Sequence, residues 1–494
     1  MLAVMAEEYF DVVIVGAGLS GIGAAWHLQD KCPDRSYLIL EERESSGGTW
    51  DLFHYPGIRS DSDMYTLGYN FKPWKEGKAI ADGPSILQYI RETASEAGID
   101  RNIRYQQTVT SAKWSSDDAA WIVATHNTIT DEITTIRCNL LLMCAGYYNY
   151  EQGYLPEFRG SDNFRGEIVH PQHWPEDLDY SDKKVVIIGS GATAVTLVPE
   201  MAKKAGHVVM LQRSPTYMGS APDTDWLAQL LRWLLPEKTA YAITRWKNIN
   251  YQRWIYWQAK KSPNYIRNKL LKMARKDLGK NVDFEKHFVP NYDPWDQRLC
   301  LVPNGDFFHA VRDGHASIVT DTIVEFTENG IRLDSGKQLE ADIIVTATGL
   351  DLRVLGDVQI SVDDRPIDLS KTFSYKSMMF SDVPNLVSTF GYINASWTLK
   401  ADLTAEFSCR LLNHMTDTGM RQCTPRLRDD ERDMAGRDWI EGFSSGYIQR
   451  KTHLLPKQGD QPPWVNTQNY ALDRKSIGDD PLEDGVLQFT HPAR

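Results

Sequence analysis

A strand, a glycine-rich turn and a helix follow one another twice in this chain, and that repetition constrains the fold more than any other feature. Phe10 to Val15 is apolar and largely β-branched, Gly16-x-Gly18-x-x-Gly21 comes next, and Ile22 to Gln29 carries apolar residues at helical spacing. A second strand, Tyr37 to Leu40, ends in Glu41, twenty residues after Gly21. In such a unit the first glycine permits the tight turn and the second lets the backbone approach a pyrophosphate. The third lets helix and strand pack closely, the helix N-terminus favours phosphate charge, and the acid accepts the ribose hydroxyls. The pattern returns at Lys184 to Ile188, followed by Gly189-Ser190-Gly191-Ala192-Thr193-Ala194, a helix through Met201 and a strand from Val208 to Leu211. The position of the acid now holds Arg213, followed by Ser214. An acid would repel a 2′-phosphate, whereas arginine pairs with it bidentately. The first site therefore reads as FAD and the second as NADPH, an arrangement in which one cofactor reduces the other.

The rest of the composition narrows the setting. A chain of 494 residues suits two or three domains. A formal charge of −12 argues against nucleic acid as a partner. The six cysteines contain no C-x-x-C pair, which excludes a disulfide framework, a zinc site and the redox pair of a disulfide reductase, and suggests a reducing, cytoplasmic setting. Val12 to Val15 runs straight into the glycine loop and reads as a buried strand, not a signal peptide. No apolar run reaches the roughly 18 residues a membrane span needs.

The expected fold class is α/β, with two Rossmann-like dinucleotide-binding domains and a helical insertion. Residues 1–150 form the first part of the FAD domain and 151–220 the first part of the NADPH domain. Residues 221–290 are the insertion, 291–380 return to the NADPH domain, and 381–494 complete the FAD domain with a polar surface tail from about Gly459. Leu140 to Gly146 and Ala341 to Gly349 are apolar strands closing on small residues, where by fold analogy the chain crosses between domains. The insertion is unusual: between Trp226 and Lys280 stand thirteen Lys/Arg, two acids (Glu237 and Asp277) and five tryptophans. Trp246, Ile249 and Trp257 have the spacing of one helix face. The favoured expectation is aromatics packed onto the NADPH domain. The sharper alternative is a basic amphipathic patch touching an anionic membrane surface, which would make the protein peripheral at the inner face of the membrane.

Two longer motifs remain. One is Gly47-Gly48-x-Trp50-x-x-x-x-Tyr55-Pro56-Gly57-x-x-x-Asp61, and the other is Phe164-x-Gly166-x-x-x-His170-x-x-x-Trp174-Pro175. Together they resemble the fingerprints of type I Baeyer–Villiger monooxygenases, which are class B flavoprotein monooxygenases. Tyr55 to Tyr65, Trp295 to Asp306 and Asn394 to Asp402 are similar to the branch that includes the ethionamide-activating monooxygenase of mycobacteria. The likeness runs from residue 9 to about 475.

The resemblance implies an FAD- and NADPH-dependent enzyme that inserts one oxygen atom from O2 into ketones through a C4a-peroxyflavin, giving esters or lactones, and that also sulfoxidises thioethers. It implies that Ser20, Glu41, Gly48, Thr49, Trp50, Asp61 and the backbone of Val109 hold FAD with Gly16, Gly18 and Gly21. Gly189, Ser190, Gly191, Ala192, Thr193 and Ala194, with Arg213 and Ser214, would hold NADPH. Arg298 matches the active-site arginine and Asp61 would orient it. His170 and Trp174 would couple cofactor binding to domain rotation. Many family members carry Lys just before that arginine, but this chain has Gln297, which leaves discrimination between NADPH and NADH to Arg213. The rival readings are a flavin monooxygenase acting mainly on sulfur or nitrogen centres, and a non-enzymatic redox sensor.

Overall fold

The first glycine unit forms the middle of a nine-stranded sheet in the computed structural model, which describes residues 8–280 and 282–492. The strand Glu8–Val15 pairs in parallel with Tyr37–Leu40 on one side and with Ile133–Met143 on the other. Val12, Val13 and Ile14 are wholly buried, as expected of a parallel strand covered on both faces. Helix Leu19–Lys31 packs on this strand and against the long helix Trp397–Thr418. Beyond Ile133–Met143 the sheet turns antiparallel through Ala120–Asn127 and Gln107–Ser115. It then takes Gln359–Val362 alongside Gln107–Ser115, with Arg365–Pro366 at its margin. The chain has thus re-entered the first sheet by Gln359, ahead of the expected return at 381.

The second glycine unit forms a separate five-stranded sheet that is parallel throughout. Its order is Ala316–Thr320, His207–Gln212, Lys184–Ile188, Ile343–Thr346 and Glu167–Val169. The two crossing segments meet side by side. Arg353 N–H donates to Tyr147 O (3.0 Å) and Asn149 N–H to Asp351 O (2.7 Å).

The fingerprint at 164–175 is built into this junction. Residues Glu167–Val169 are the edge strand of the second sheet. A Cβ on Gly166 would lie 2.1 Å from Asp342 O and 2.6 Å from the Phe164 ring, so no other residue fits that turn. The His170 ring sits where a Cβ of Gly153 would be, at 2.1 Å. Gln172 Nε2 donates to Asn149 O (2.7 Å) and Tyr150 O (3.0 Å), and Trp174 packs on the second core.

The tail differs from expectation. Trp464, Ile477 and Val486 are fully buried in the first core, and Leu487–Thr490 pairs with Gln422–Pro425. Its polar composition hides an apolar set spaced too widely to read as a periodic element.

The insertion is helical, with helices Trp226–Leu234, Glu237–Lys261, Pro263–Leu278 and Phe284–Phe288. Its tryptophans are not packed inward. Trp226, Trp233, Trp246, Trp254 and Trp257 are all exposed, Trp233 by 81%. Trp246 and Trp257 share a face and are exposed, while Ile249, at the margin of that face, is buried. The favoured packing expectation is therefore overturned for the tryptophans: Ala228 on the first helix, and Ala240, Tyr241, Thr244, Arg245 and Ile249 on the second, make the inward contacts instead. No helix among the described residues is long and apolar enough to cross a membrane.

Candidate active site between two nucleotide loops

Both glycine loops open on one cavity of about 550 Å³. The first loop contributes Gly16, Gly18 and Ser20 to its wall, and the second contributes Ser190, Gly191, Ala192 and Thr193. Gly16 has φ +102°, and a Cβ there would lie 2.5 Å from Cys144 O, so the turn is closed to any side chain. Gly21, Gly189 and Ala194 act from beneath: a Cβ on Gly21 would strike Gly16 O, one on Gly189 would strike Ala347 O, and Ala194 is fully buried. Glu41 lines the cavity at the end of its strand and is 6% exposed. Its carboxylate accepts from Ala17 N–H (2.7 Å) and Arg43 N–H (3.1 Å). Burial nonetheless pushes its pKa above the usual carboxylate range, against those two hydrogen bonds.

The fingerprint at 47–61 brackets the two units. Gly48, Thr49 and Trp50 line the cavity beside the first loop, with Thr49 Oγ1 and Tyr148 OH 2.6 Å apart. Tyr55 is buried in the second core, and its phenol, which hydrogen-bonds Thr193, is pushed up to about 12 by burial. Gly57 lies against the side chain of Glu200 on the helix that follows the second loop. The motif ends in Asp61, which reaches the same cavity.

Asp61 meets Arg298 there. Arg298 Nε donates to Asp61 Oδ2 at 2.7 Å, although the residues are 237 apart in sequence. The charge of Asp61 raises the arginine's pKa against the cost of burial, so the guanidinium is a permanent cation. Tyr447 and Tyr147 stand beside the pair; burial raises both phenols, and Arg298 pulls each back. Gln297 and Val109 also line the wall. Arg213 and Ser214 lie just outside it, exposed at the end of the strand His207–Gln212, and Ser190 Oγ donates to Ser214 O at 3.3 Å. His170 stays in the junction, with Nδ1 accepting from Gln172 N–H; burial lowers its pKa, with a smaller contribution from His173.

Sequence reasoning missed part of the wall. Tyr147, Tyr392, Phe390 and Ser445 line the cavity from loops, and Tyr447 from the short helix Gly446–Gln449, none of which carries a motif. Trp397 also lines it and donates from Nε1 to Ser20 Oγ (2.8 Å). Only Trp397 had a signal, since it falls within the Asn394–Asp402 stretch.

The cavity also bears on the reductase-like alternative. Cys144 and Cys300 both reach the wall, but burial pushes each thiol up to about 12, so neither is a thiolate at neutral pH. They turn to different partners, Cys144 to Thr389 and Cys300 to Ser190 O.

Comparison with known proteins agrees with this layout. The NAD(P)-binding Rossmann-like domain matches residues 14–74, and the flavin-binding monooxygenase-like family matches residues 79–413. The chain is 53% identical over 485 residues to the FAD-containing monooxygenase EthA of Mycobacterium tuberculosis, covering 98% of each. Among solved structures, an oxidized steroid monooxygenase bound to NADP superposes with a TM-score of 0.79 at 20% identity, over 98% of this chain and all of that one. OTEMO in complex with FAD and NADP gives 0.78 at 20% identity, with the same coverage. A family match over most of the length, and a relative sharing half its residues from end to end, settle the matter: the chain belongs to the flavin-binding monooxygenase-like family.

Proposed function

We propose that this protein is an FAD- and NADPH-dependent Baeyer–Villiger monooxygenase, which inserts one oxygen atom of O2 beside a ketone carbonyl to give an ester or lactone and water. Oxidation of thioethers to sulfoxides is proposed as a second activity of the same site. The observation that carries this reading is the Asp61–Arg298 pair facing the cavity on which both nucleotide loops open.

The residues fit the two cofactors. Gly16 and Gly18 leave a floor without side chains, and Glu41 holds a buried carboxylate at the place where a ribose would present its hydroxyls. Ser20, Gly48, Thr49, Trp50 and the Val109 backbone would complete the FAD site. Residues 189–194 would hold the NADPH pyrophosphate, with Arg213 and Ser214 placed for the 2′-phosphate. When bound, the flavin accepts hydride from NADPH and activates O2. The protein's own task is electrostatic. Attack on a ketone builds negative charge on its carbonyl oxygen, and Arg298 supplies a cation that cannot deprotonate. Asp61 fixes the guanidinium plane. Tyr147, Phe390 and Trp397 give the cavity wall beside the pair an aromatic lining.

The alternative, an enzyme acting mainly on sulfur or nitrogen centres, has no use for an anion-stabilising arginine in the cavity. Purified yellow holoenzyme, given NADPH, isotopically labelled O2 and a panel of ketones and thioethers, separates the two. The expected result is ester carrying one labelled oxygen. Sulfoxide or N-oxide alone, with no ester from any ketone, would establish the alternative. With this function we also propose a weak peripheral contact of residues 221–290 with an anionic membrane surface, which the charge of that segment supports.

A further inference from the structure

We infer that the outer face of the helices Trp226–Leu234 and Glu237–Lys261 is a docking surface for an anionic phospholipid bilayer, and that it draws membrane-dissolved apolar substrate to the Asp61–Arg298 site. The docking part deepens the membrane contact proposed above and stands without the monooxygenase reading; the substrate part rests on that reading.

Eighteen large hydrophobic side chains are exposed among the described residues, and ten of them lie between Trp226 and Tyr265. They are not scattered. Trp226, Leu230, Trp233 and Leu234 follow i, i+4, i+7, i+8, the apolar stripe of an amphipathic helix, yet the stripe faces solvent while Ala228 faces the protein. On the next helix Ile243, Trp246, Trp254 and Trp257 fall within one arc and are exposed, whereas Tyr241, Thr244 and Arg245 are buried on the far side. An inverted pair of stripes of this size marks a binding face.

Charge selects the occupant. The segment holds thirteen Lys/Arg against two acids in a chain whose total is −12. Lys261, at the end of the tryptophan-bearing helix, and Lys269, Lys272 and Lys276, on the helix Pro263–Leu278 that follows it, are exposed and have no carboxylate within salt-bridge distance among the described residues. Lys261 Nζ stands 4.6 Å from the Trp257 ring centre. Tryptophan beside lysine suits the interface of an anionic bilayer, where the ring sits among headgroups and the cation meets lipid phosphate. A two-fold dimer through this face would instead oppose two basic surfaces.

The inner face of the same helix holds the active-site loops. Asn248 Nδ2 and Gln252 Nε2 each donate to Asp63 at 2.8 Å, two residues from Asp61. Lys260 Nζ pairs with Asp296 at 2.9 Å and Tyr256 packs edge-on against Trp295, just before Arg298. One helix, roughly 10 Å thick, thus separates the exposed tryptophans from both loops that carry the catalytic pair.

The test uses holoenzyme and vesicles of phosphatidylglycerol and phosphatidylcholine, with pure phosphatidylcholine as control. Wild type should co-sediment with the anionic vesicles at low salt, less at high salt and little with the neutral ones. Trp226→Ser/Trp233→Ser/Trp246→Ser and, separately, Lys269→Glu/Lys272→Glu/Lys276→Glu should each weaken binding by about tenfold or more. Both variants should turn over a short soluble ketone like wild type, but a long-chain ketone dissolved in the vesicles more slowly. No binding of wild type to anionic vesicles at low salt overturns the proposal. So does self-association of wild type that the tryptophan variant abolishes, which would make the face a contact between copies. Vesicle binding without turnover of any ketone would leave the docking surface standing and remove the monooxygenase reading on which the substrate part depends.

Discussion

Replacing Arg298 with alanine separates the two halves of the reaction. Arg298 holds Asp61 through Nε at 2.7 Å and turns its guanidinium to the cavity. A cation about 4 Å from a developing oxyanion is worth roughly 4 kcal/mol at an effective dielectric of about 20. The Arg298 side chain is 42% exposed in the open cavity, so solvent screens part of that. Allowing about half leaves roughly 2 kcal/mol, and the uncompensated charge of Asp61, facing the same oxyanion, adds about 1–2 kcal/mol. The sum corresponds to a loss of about 10²–10³ in ester formation, the usual cost of removing one preorganised donor. Hydride transfer from NADPH needs only the cofactor sites, none of which Arg298 builds alone. The variant should therefore consume NADPH and O2 and release hydrogen peroxide. Arg298→Lys should recover little, since an ammonium lacks the planar fork that Asp61 orients, and Asp61→Asn should fall between wild type and Arg298→Ala. The assay is paired: ester by gas chromatography and peroxide by a coupled reaction, on protein whose flavin content matches wild type. Ester formation by Arg298→Ala within about threefold of wild type would refute the role given to this residue.

Three further outcomes are expected. Arg213→Ala should weaken NADPH by about ten- to hundredfold while sparing NADH, since a charge-assisted bond is lost, and Gln297→Lys should move preference further towards NADPH; equal losses for both nucleotides would show that Arg213 does not read the 2′-phosphate. Glu41 must be ionised to accept two ribose hydroxyls, and burial raises its pKa, so FAD should dissociate on acidification at a pH above the ordinary glutamate range, while Glu41→Gln should bind FAD weakly at every pH; wild-type retention of FAD by the Glu41→Gln variant, followed by flavin fluorescence, would remove this assignment. Gly166→Ala must push a Cβ against Asp342 O and the Phe164 ring, which should cost about 1–3 kcal/mol of stability; an unchanged melting temperature would mean that the junction fingerprint is not fixed by packing.

The sequence alone determined the two nucleotide units. Their strands, turns and helices are local, and Gly21 answers a contact within its own unit, at Gly16 O, although Gly16 and Gly189 also meet carbonyls of the crossing segments at Cys144 and Ala347. Gln359–Val362 and the buried Trp464 were not legible, because a short edge strand and an isolated apolar residue acquire meaning only from the sheet and core that receive them. The orientation of the insertion was illegible for a related reason. Periodicity states which residues share a helix face, but not whether that face turns inward, and here Ala228, Tyr241, Arg245 and Ile249 took the interior while five tryptophans were left outside. The motifs named Asp61 and Arg298, yet only the tertiary structure brought them to 2.7 Å across 237 residues, with Tyr147, Tyr447 and Trp397 around them. That convergence depends on two sheets meeting at their crossing strands, and no local pattern of residues encodes a distance between sheets.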